Sequence, residues 1–386
     1  MLTRRELLAL SLSLATRSRA AAPNRKVLFV CMDGCDPRYL AHSDVPNLKR
    51  MMQHGMYKEG RSMMPSVTNV NNASIATMTF PREHGITANY YYDRVTKQAT
   101  YMESRDFLLR PTIFEKARTL GYRTAFVSSK DKLRDLIGKH ADLAASAERA
   151  PAELQAIVGP KAEVYSAELN YWSFRCTRHL LRAGYNFIFL STTDYMMHTY
   201  APEEARSQEH MHQVDKLLGE IAADHPSIEI YLTADHGMNA KTRGVDLTRL
   251  LEREGIDAVT VSVAKDRYVK HHKTLGGASY VYIDDPGQRE RAAALLREHE
   301  SAEQVLSNAE ASERFQLKSD RIGDLMVLAR ESFVYGELES VEEQIQLRSH
   351  GSLHETKVPI LCYGRKVSPA LYEYNMDITR RFQWEV

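Results

Sequence analysis

From Lys26 the chain enters an unbroken apolar run, Val27-Leu28-Phe29-Val30-Cys31-Met32, that stops at Asp33-Gly34. A run with no polar alternation fits a strand buried on both faces, since a solvated face would place a polar residue at every second position. Shorter β-rich runs recur at 122–127, 187–190, 228–233 and 359–363, with helical stretches such as 112–120 and 203–224 between them. This alternation predicts an α/β fold whose core is a largely parallel sheet flanked by helices. Between Lys241 and His350 the pattern changes: strand-like segments at 279–283, 323–329 and 332–335 surround a helix-like stretch at 288–299. They predict a small α+β cap insertion at 241–350, which divides the catalytic core into 23–240 and 351–386.

The first 22 residues read differently. Arg4-Arg5 stands directly before an apolar run from Leu7 to Ala15, and Ser18-Arg19-Ala20-Ala21-Ala22 offers small residues for cleavage. That is the pattern of a twin-arginine signal peptide. The run is shorter than the roughly 20 apolar residues that span a bilayer, so no membrane anchor is expected. A periplasmic or secreted product follows. N-terminal sequencing of the mature protein is expected to begin between Ala21 and Pro23; an uncleaved chain in the host cytoplasm would contradict the leader.

Composition narrows the partners. The formal net charge is +1 over 386 residues, so no basic field exists to hold nucleic acid, and an anionic ligand must be held by local groups. The four cysteines, Cys31, Cys35, Cys176 and Cys362, have neither the density of a disulfide scaffold nor a C-x-x-C spacing. They are expected as small buried hydrophobes.

In parallel α/β sheets, ligands gather at the carboxyl ends of the strands. Here those ends carry Asp33, Ser128-Ser129-Lys130, Thr192-Thr193-Asp194 and Thr233-Ala234-Asp235-His236. Asp194 and His198, four apart at a helix start, share one face, and Asp235 and His236 adjoin where the backbone leaves its strand. Taken singly, such residues are more often helix caps or ordinary histidines. With His354, which follows the turn-like His350-Gly351-Ser352-Leu353, they become six Asp and His donors in two groups of three, the donor chemistry of a paired divalent site. The segment Pro65-Ser66-Val67-Thr68-Asn69 predicts a helix start, where backbone N–H groups favour an anion, and the Thr68 hydroxyl is the candidate nucleophile.

Met32-Asp33-Gly34, Ser66-Val67-Thr68-Asn69, His84-Gly85-Ile86, Asp194-Tyr195-Met196-Met197-His198, Thr233-Ala234-Asp235-His236-Gly237-Met238 and His350-Gly351-Ser352-Leu353-His354-Glu355 stand in a telling order. It resembles the phosphodiesterase-like branch of the alkaline phosphatase superfamily, over residues 27–363. The resemblance implies an alkaline-phosphatase-like core and two zinc ions per chain. One zinc would be held by Asp194, His198 and His354, the other by Asp33, Asp235 and His236, with Thr68 contacting the second zinc and attacking phosphorus to form a phospho-threonine.

Two further features resemble phosphonoacetate hydrolases in particular: Asn89 ahead of Tyr90-Tyr91-Tyr92-Asp93, and Lys130-Asp131-Lys132 after the strand at 122–127. In that family the matching Asn and Lys residues engage the phosphonyl and carboxylate groups. Breaking a C–P bond expels a carbanion, and lysines against the adjacent carboxylate would stabilise that charge as it spreads. The expected partner is therefore a small phosphonate or phosphate ester. Two alternatives stand beside it: a nucleotide pyrophosphatase or phosphodiesterase that shares every ligand, with Tyr90, Tyr91 and Tyr92 offering a slot for a base, and a catalytically silent zinc-binding envelope protein. Asp and His donors also accept manganese or iron. The sequence leaves a homodimer open.

Overall fold

The structure, a computed structural model, describes residues 23–268 and 273–384; the expected signal peptide, 1–22, lies outside the described residues. Seven strands form the central sheet: β1 (Val27–Cys31), β2 (Met56–Arg61), β3 (Thr124–Ser128), β4 (Leu143–Ser146), β5 (Phe187–Ser191), β6 (Glu229–Thr233) and β7 (Lys357–Tyr363). Across the sheet they lie in the order β2-β7-β6-β1-β5-β3-β4. β1 pairs in parallel with both β5 and β6, placing Val27 opposite Phe187 and Glu229, and β3 continues the parallel pairing from β5 to β4. β7 runs the other way, antiparallel to β6 and to β2.

The apolar runs explain why these strands are central. Every residue of β1, β3, β5 and β6 is buried. The two-residue period of the strand sends Val27, Phe29 and Cys31 into one apolar layer and Leu28, Val30 and Met32 into the other. The first layer is closed by the helices Thr68–Thr77 and Ile113–Thr119, the second by Glu168–Arg182 and Ala205–Asp224. All four cysteines are free and buried in this packing. Among the described residues, no helix is long and apolar enough to cross a membrane.

Strand direction positions the site. The carboxyl ends of β1, β3, β5 and β6 fall on one edge of the sheet, and because β7 is reversed, the segment that enters it from His350 arrives at that same edge. Residues 239–349 build sheets of their own. Ala258–Ser262, Ala278–Ile283, Leu325–Ala329 and Ala302–Ser307 form a four-stranded antiparallel sheet, and Phe333–Tyr335, Asn239–Val245 and Glu342–Ser349 form a three-stranded one. A separate apolar cluster that includes Leu251, Val281, Leu296 and Val327 fills this part.

Candidate active site

Asp33 leaves the end of β1, and its backbone N–H donates to Thr192 Oγ1 at 2.9 Å. Gly34 follows at φ +72°, a conformation that favours glycine, and a Cβ there would lie 3.0 Å from the Cβ of Asp194. The absence of a side chain lets the β1 and β5 ends close on each other. The Gly34 N–H donates to Asp235 Oδ1 at 3.1 Å, the Asn72 amide donates to Asp235 Oδ2 at 3.1 Å, and so the carboxylate beyond β6 is held from both sides.

Three histidines face these carboxylates, and their tautomers follow from their partners. His236 Nδ1 lies 3.0 Å from the Gly237 carbonyl, His350 Nδ1 2.9 Å from the Ser66 carbonyl, and His198 Nδ1 2.7 Å from the Arg348 carbonyl. A carbonyl can only accept, so each Nδ1 donates its proton there and each Nε2 is left for the carboxylates or an ion. Those Nε2 atoms point inward: His236 to Asp33 Oδ1 at 3.4 Å, His198 to Asp194 Oδ2 at 2.9 Å, His350 to Asp194 Oδ2 at 3.9 Å. Imidazoles locked by carbonyls with Nε2 turned to carboxylates are the arrangement that metal-ligating histidines adopt. The rings of His236 and His350 stack at 3.7 Å and 8°.

The electrostatics point the same way. Asp33, Asp194 and Asp235 are buried together, and among the described residues the ammonium of Lys130 reaches two of them, Asp33 Oδ2 at 3.1 Å and Asp194 Oδ1 at 2.6 Å. Burial first, and then the carboxylates of Asp194 and Asp235, push the Asp33 carboxyl well above the ordinary range; burial lifts Asp235 to about 6. Burial also lowers His236, which keeps it neutral. For Lys130 burial works against the charge, but the carboxylates of Asp194 and Asp33 outweigh it and raise its pKa well above the usual lysine value. Asp33 Oδ1 is buried and has no hydrogen-bond partner among the described residues. Three buried carboxylates with an orphaned oxygen and inward-facing Nε2 atoms are a set that divalent cations satisfy, so the donors fit a metal pair. Two groups lie within metal-binding distance of each other: Asp33, Asp235 and His236, and Asp194, His236 and His350.

Thr68 is the first residue of the helix Thr68–Thr77, and its Oγ1 lies 3.4 Å from His236 Nε2. The helix is buried along its length, so its free N–H end opens on the donors rather than on solvent. Asn89 sits beside that end. Its Oδ1 accepts from the Asn69 N–H at 3.1 Å, which fixes the amide and leaves Nδ2 as its donor. Lys132 is buried and paired with Asp266, a residue from the insertion. Tyr90 and Tyr91 are half-buried and Tyr92 is buried. Their rings pack edge-on against Tyr101, Phe107 and Tyr282 at 5.0, 6.0 and 5.0 Å.

The structure brings Asp33, Thr68, Asp194, His198, Asp235 and His236 together, with Lys130 among them and Asn89 alongside the helix start. It does not bring in His354. That side chain is 30% exposed and bonds Glu303 at 2.6 Å, while His350 takes the inward place. The cause lies in the turn. Gly351 adopts φ +109° and its N–H donates to Ser66 Oγ at 3.1 Å, and Ser66 Oγ in turn donates to the Ser352 carbonyl at 2.7 Å. The chain is thereby tied to the segment before Thr68 at His350, and the short 3-10 turn Leu353–Glu355 carries His354 outward. His350→Ala is expected to lower metal content and turnover by about a hundredfold, whereas His354→Ala should stay within about tenfold of the unaltered protein. Metal analysis and steady-state rates on the two variants check this, and the reverse ranking would contradict it.

Sequence reading gave no role to Ser66, Asn72, Thr192 and Asp266, which reach the site through contacts across 286, 163, 159 and 134 positions of chain. Ser66, Thr192 and His350 did carry a local signal, since each stands in a motif already noted.

A model of the type I phosphodiesterase / nucleotide pyrophosphatase family matches residues 27–353. Phosphonoacetate hydrolase from Sinorhizobium meliloti 1021, solved with phosphonoacetate and with phosphonoformate, is similar at 34% identity and a TM-score of 0.85, covering 93% of this chain and 95% of that one. Murine ectonucleotide pyrophosphatase / phosphodiesterase 5 shares the fold at 18% identity and a TM-score of 0.66, over 92% of this chain and 93% of that one. The bis(5'-adenosyl)-triphosphatase enpp4 of Xenopus laevis is 22% identical over 84% of this chain and 68% of its own length. For the mouse counterpart the figures are 24%, 64% and 54%, so the chain spans about half the length of that relative.

Proposed function

Because the chain belongs to the type I phosphodiesterase / nucleotide pyrophosphatase family, a family of hydrolases, we propose that it is a two-zinc enzyme that cleaves phosphonoacetate to acetate and phosphate through a phospho-threonine on Thr68. The observation that carries this reading is the pair of buried lysines, Lys130 in the donor cluster and Lys132 paired with Asp266 on the other side of the Tyr268 contact, in a chain 34% identical to a phosphonoacetate hydrolase. A phosphate ester needs no such pair at its leaving group, whereas a carboxylate-bearing carbanion does.

Asp33, Asp235 and His236 would hold one ion, and Asp194, His198 and His350 the other. When bound, the ions supply charge neutralisation and Lewis-acid polarisation at the phosphonyl oxygens. The chain's own groups do the rest. The helix start at Thr68 and the Nδ2 of Asn89 orient the phosphonyl group. The Thr68 hydroxyl releases its proton to solvent, its Oγ forms its bond to phosphorus as the C–P bond breaks, and the bonding pair passes to the carbon and spreads into the carboxylate. Lys130 and Lys132 stabilise that enediolate charge, the carbon then takes a proton to give acetate, and water hydrolyses the phospho-threonine to release phosphate. Lys130 shares Asp33 and Asp194 with the proposed ions, so ion and ammonium compete for the same carboxylates.

The nucleotide reading shares the donors and is favoured by the family's breadth and by the triphosphatase relatives. The packing of Tyr90, Tyr91 and Tyr92 against neighbouring rings weighs against a base slot there. Elemental analysis of zinc-reconstituted protein is expected to find about two ions per chain. A stoichiometry near zero would end the metal reading. Export through the leader at 1–22 belongs to the same proposal.

A further inference from the structure

Resting on the reading that Lys130 and Lys132 face the leaving group, we propose that Tyr268 sets the length of leaving group the site accepts, by separating Lys130 from a neighbouring cavity onto which Lys132 opens. Tyr268 belongs to the insertion, is 5% exposed, and holds its ring centroid 5.6 Å from Lys130 Nζ and 5.7 Å from Lys132 Nζ. Both ends of the residue are tethered. Its hydroxyl donates to Glu148 Oε2 at 2.6 Å, and the same oxygen accepts the backbone N–H of Asp131, the residue between the two lysines, at 2.8 Å. Its own N–H donates to Asp266 Oδ1 at 3.0 Å, while Asp266 Oδ2 takes Lys132. The ring is therefore fixed relative to both ammonium groups, with cation–π attraction adding to the tethers.

A cavity of about 860 Å³ adjoins this ring, lined by Tyr101, Glu103, Lys132, Glu148, Arg267 and Tyr268 among others. It reaches Lys132 and Tyr268 but not Lys130. Its volume is in the range that holds a whole small-molecule ligand, far more than a carboxymethyl group fills. A two-carbon acid ends at the lysines. A longer one held at Lys130 must displace the Tyr268 ring to continue into the cavity, at the loss of the hydroxyl's bond to Glu148. The ring thus acts as a partition, and the hydroxyl is less important to it than the ring itself.

Calorimetric titration of the zinc-loaded Thr68→Ala protein, which holds the acids without turning them over, with acids carrying phosphonate and carboxylate at opposite ends, phosphonoacetate, phosphonopropionate, phosphonobutyrate and phosphonohexanoate, tests this. With Tyr268 in place this protein is expected to bind the longest acid at least about tenfold more weakly than phosphonoacetate, and adding Tyr268→Ala to remove that difference. Tyr268→Phe, which keeps the ring, should keep the original ranking. If Tyr268→Ala does not fold, Tyr268→Leu makes the same comparison. A ranking unchanged in the ring-less variant, with phosphonoacetate still preferred, overturns the partition and leaves the lysine reading standing. No preference for the short acid with Tyr268 in place also overturns the partition, whereas failure of all the acids to bind overturns the lysine reading on which it rests.

Discussion

Thr68→Ala is expected to lower kcat for phosphonoacetate by about three to five orders of magnitude, roughly 4–7 kcal/mol of barrier, while both metal positions stay loaded. The hydroxyl sits at the start of a fully buried helix, 3.4 Å from His236 Nε2, where a phosphonyl group would meet both the helix end and the donor cluster. Removing it deletes the bond-forming atom but none of Asp33, Asp235 and His236, which are the donors nearest to it. Steady-state rates together with metal analysis of the variant separate the two effects. Turnover within about tenfold of the unaltered protein would mean that water attacks phosphorus directly. Loss of metal alongside loss of turnover would mean that Thr68 acts chiefly as a ligand.

The lysines carry the second large effect. Lys132→Ala should cost about 2–4 kcal/mol in kcat/KM for phosphonoacetate, as expected for a preorganised electrostatic donor, and much less for an activated phosphodiester. Because the interaction strengthens as charge builds on the leaving carbon, the loss should appear in kcat as well as in kcat/KM. Lys132 is buried against Asp266, so its removal leaves that carboxylate without one partner, and a thermal melt must accompany the kinetics to separate folding from chemistry. Lys130→Ala is expected to show the same substrate contrast with a further signature. Since Lys130 shares Asp33 and Asp194 with the proposed ions, its loss should leave metal affinity unchanged or raised. Equal losses on both substrates would assign the lysines to general phosphoryl binding or to folding.

Much of this was legible in the chain before any coordinates. Continuous apolar runs state that β1, β3, β5 and β6 are buried on both faces, and a buried strand that ends in Asp, Lys or Asp-His draws attention to its terminus. Strand direction is not written in such a run. The run at 359–363 reads like the others, yet β7 is reversed, and that reversal brings His350 to the site. The choice between His350 and His354 was likewise beyond spacing. Both flank the same Gly-Ser-Leu turn, and what turns one inward is the bonding of Ser66 to His350, Gly351 and Ser352, nearly three hundred residues earlier in sequence. Asp266 and Tyr268 were invisible for the same reason: nothing near them in the sequence announces that the insertion reaches back to Lys132.

The central claim is that a buried two-metal site and two lysines together cleave a C–P bond, and release of acetate from phosphonoacetate tests it most directly. The zinc-loaded mature protein is expected to release acetate and phosphate in equal amounts, to stop on chelation and to recover with zinc. Turnover of a nucleotide phosphodiester with no acetate released from phosphonoacetate would contradict it.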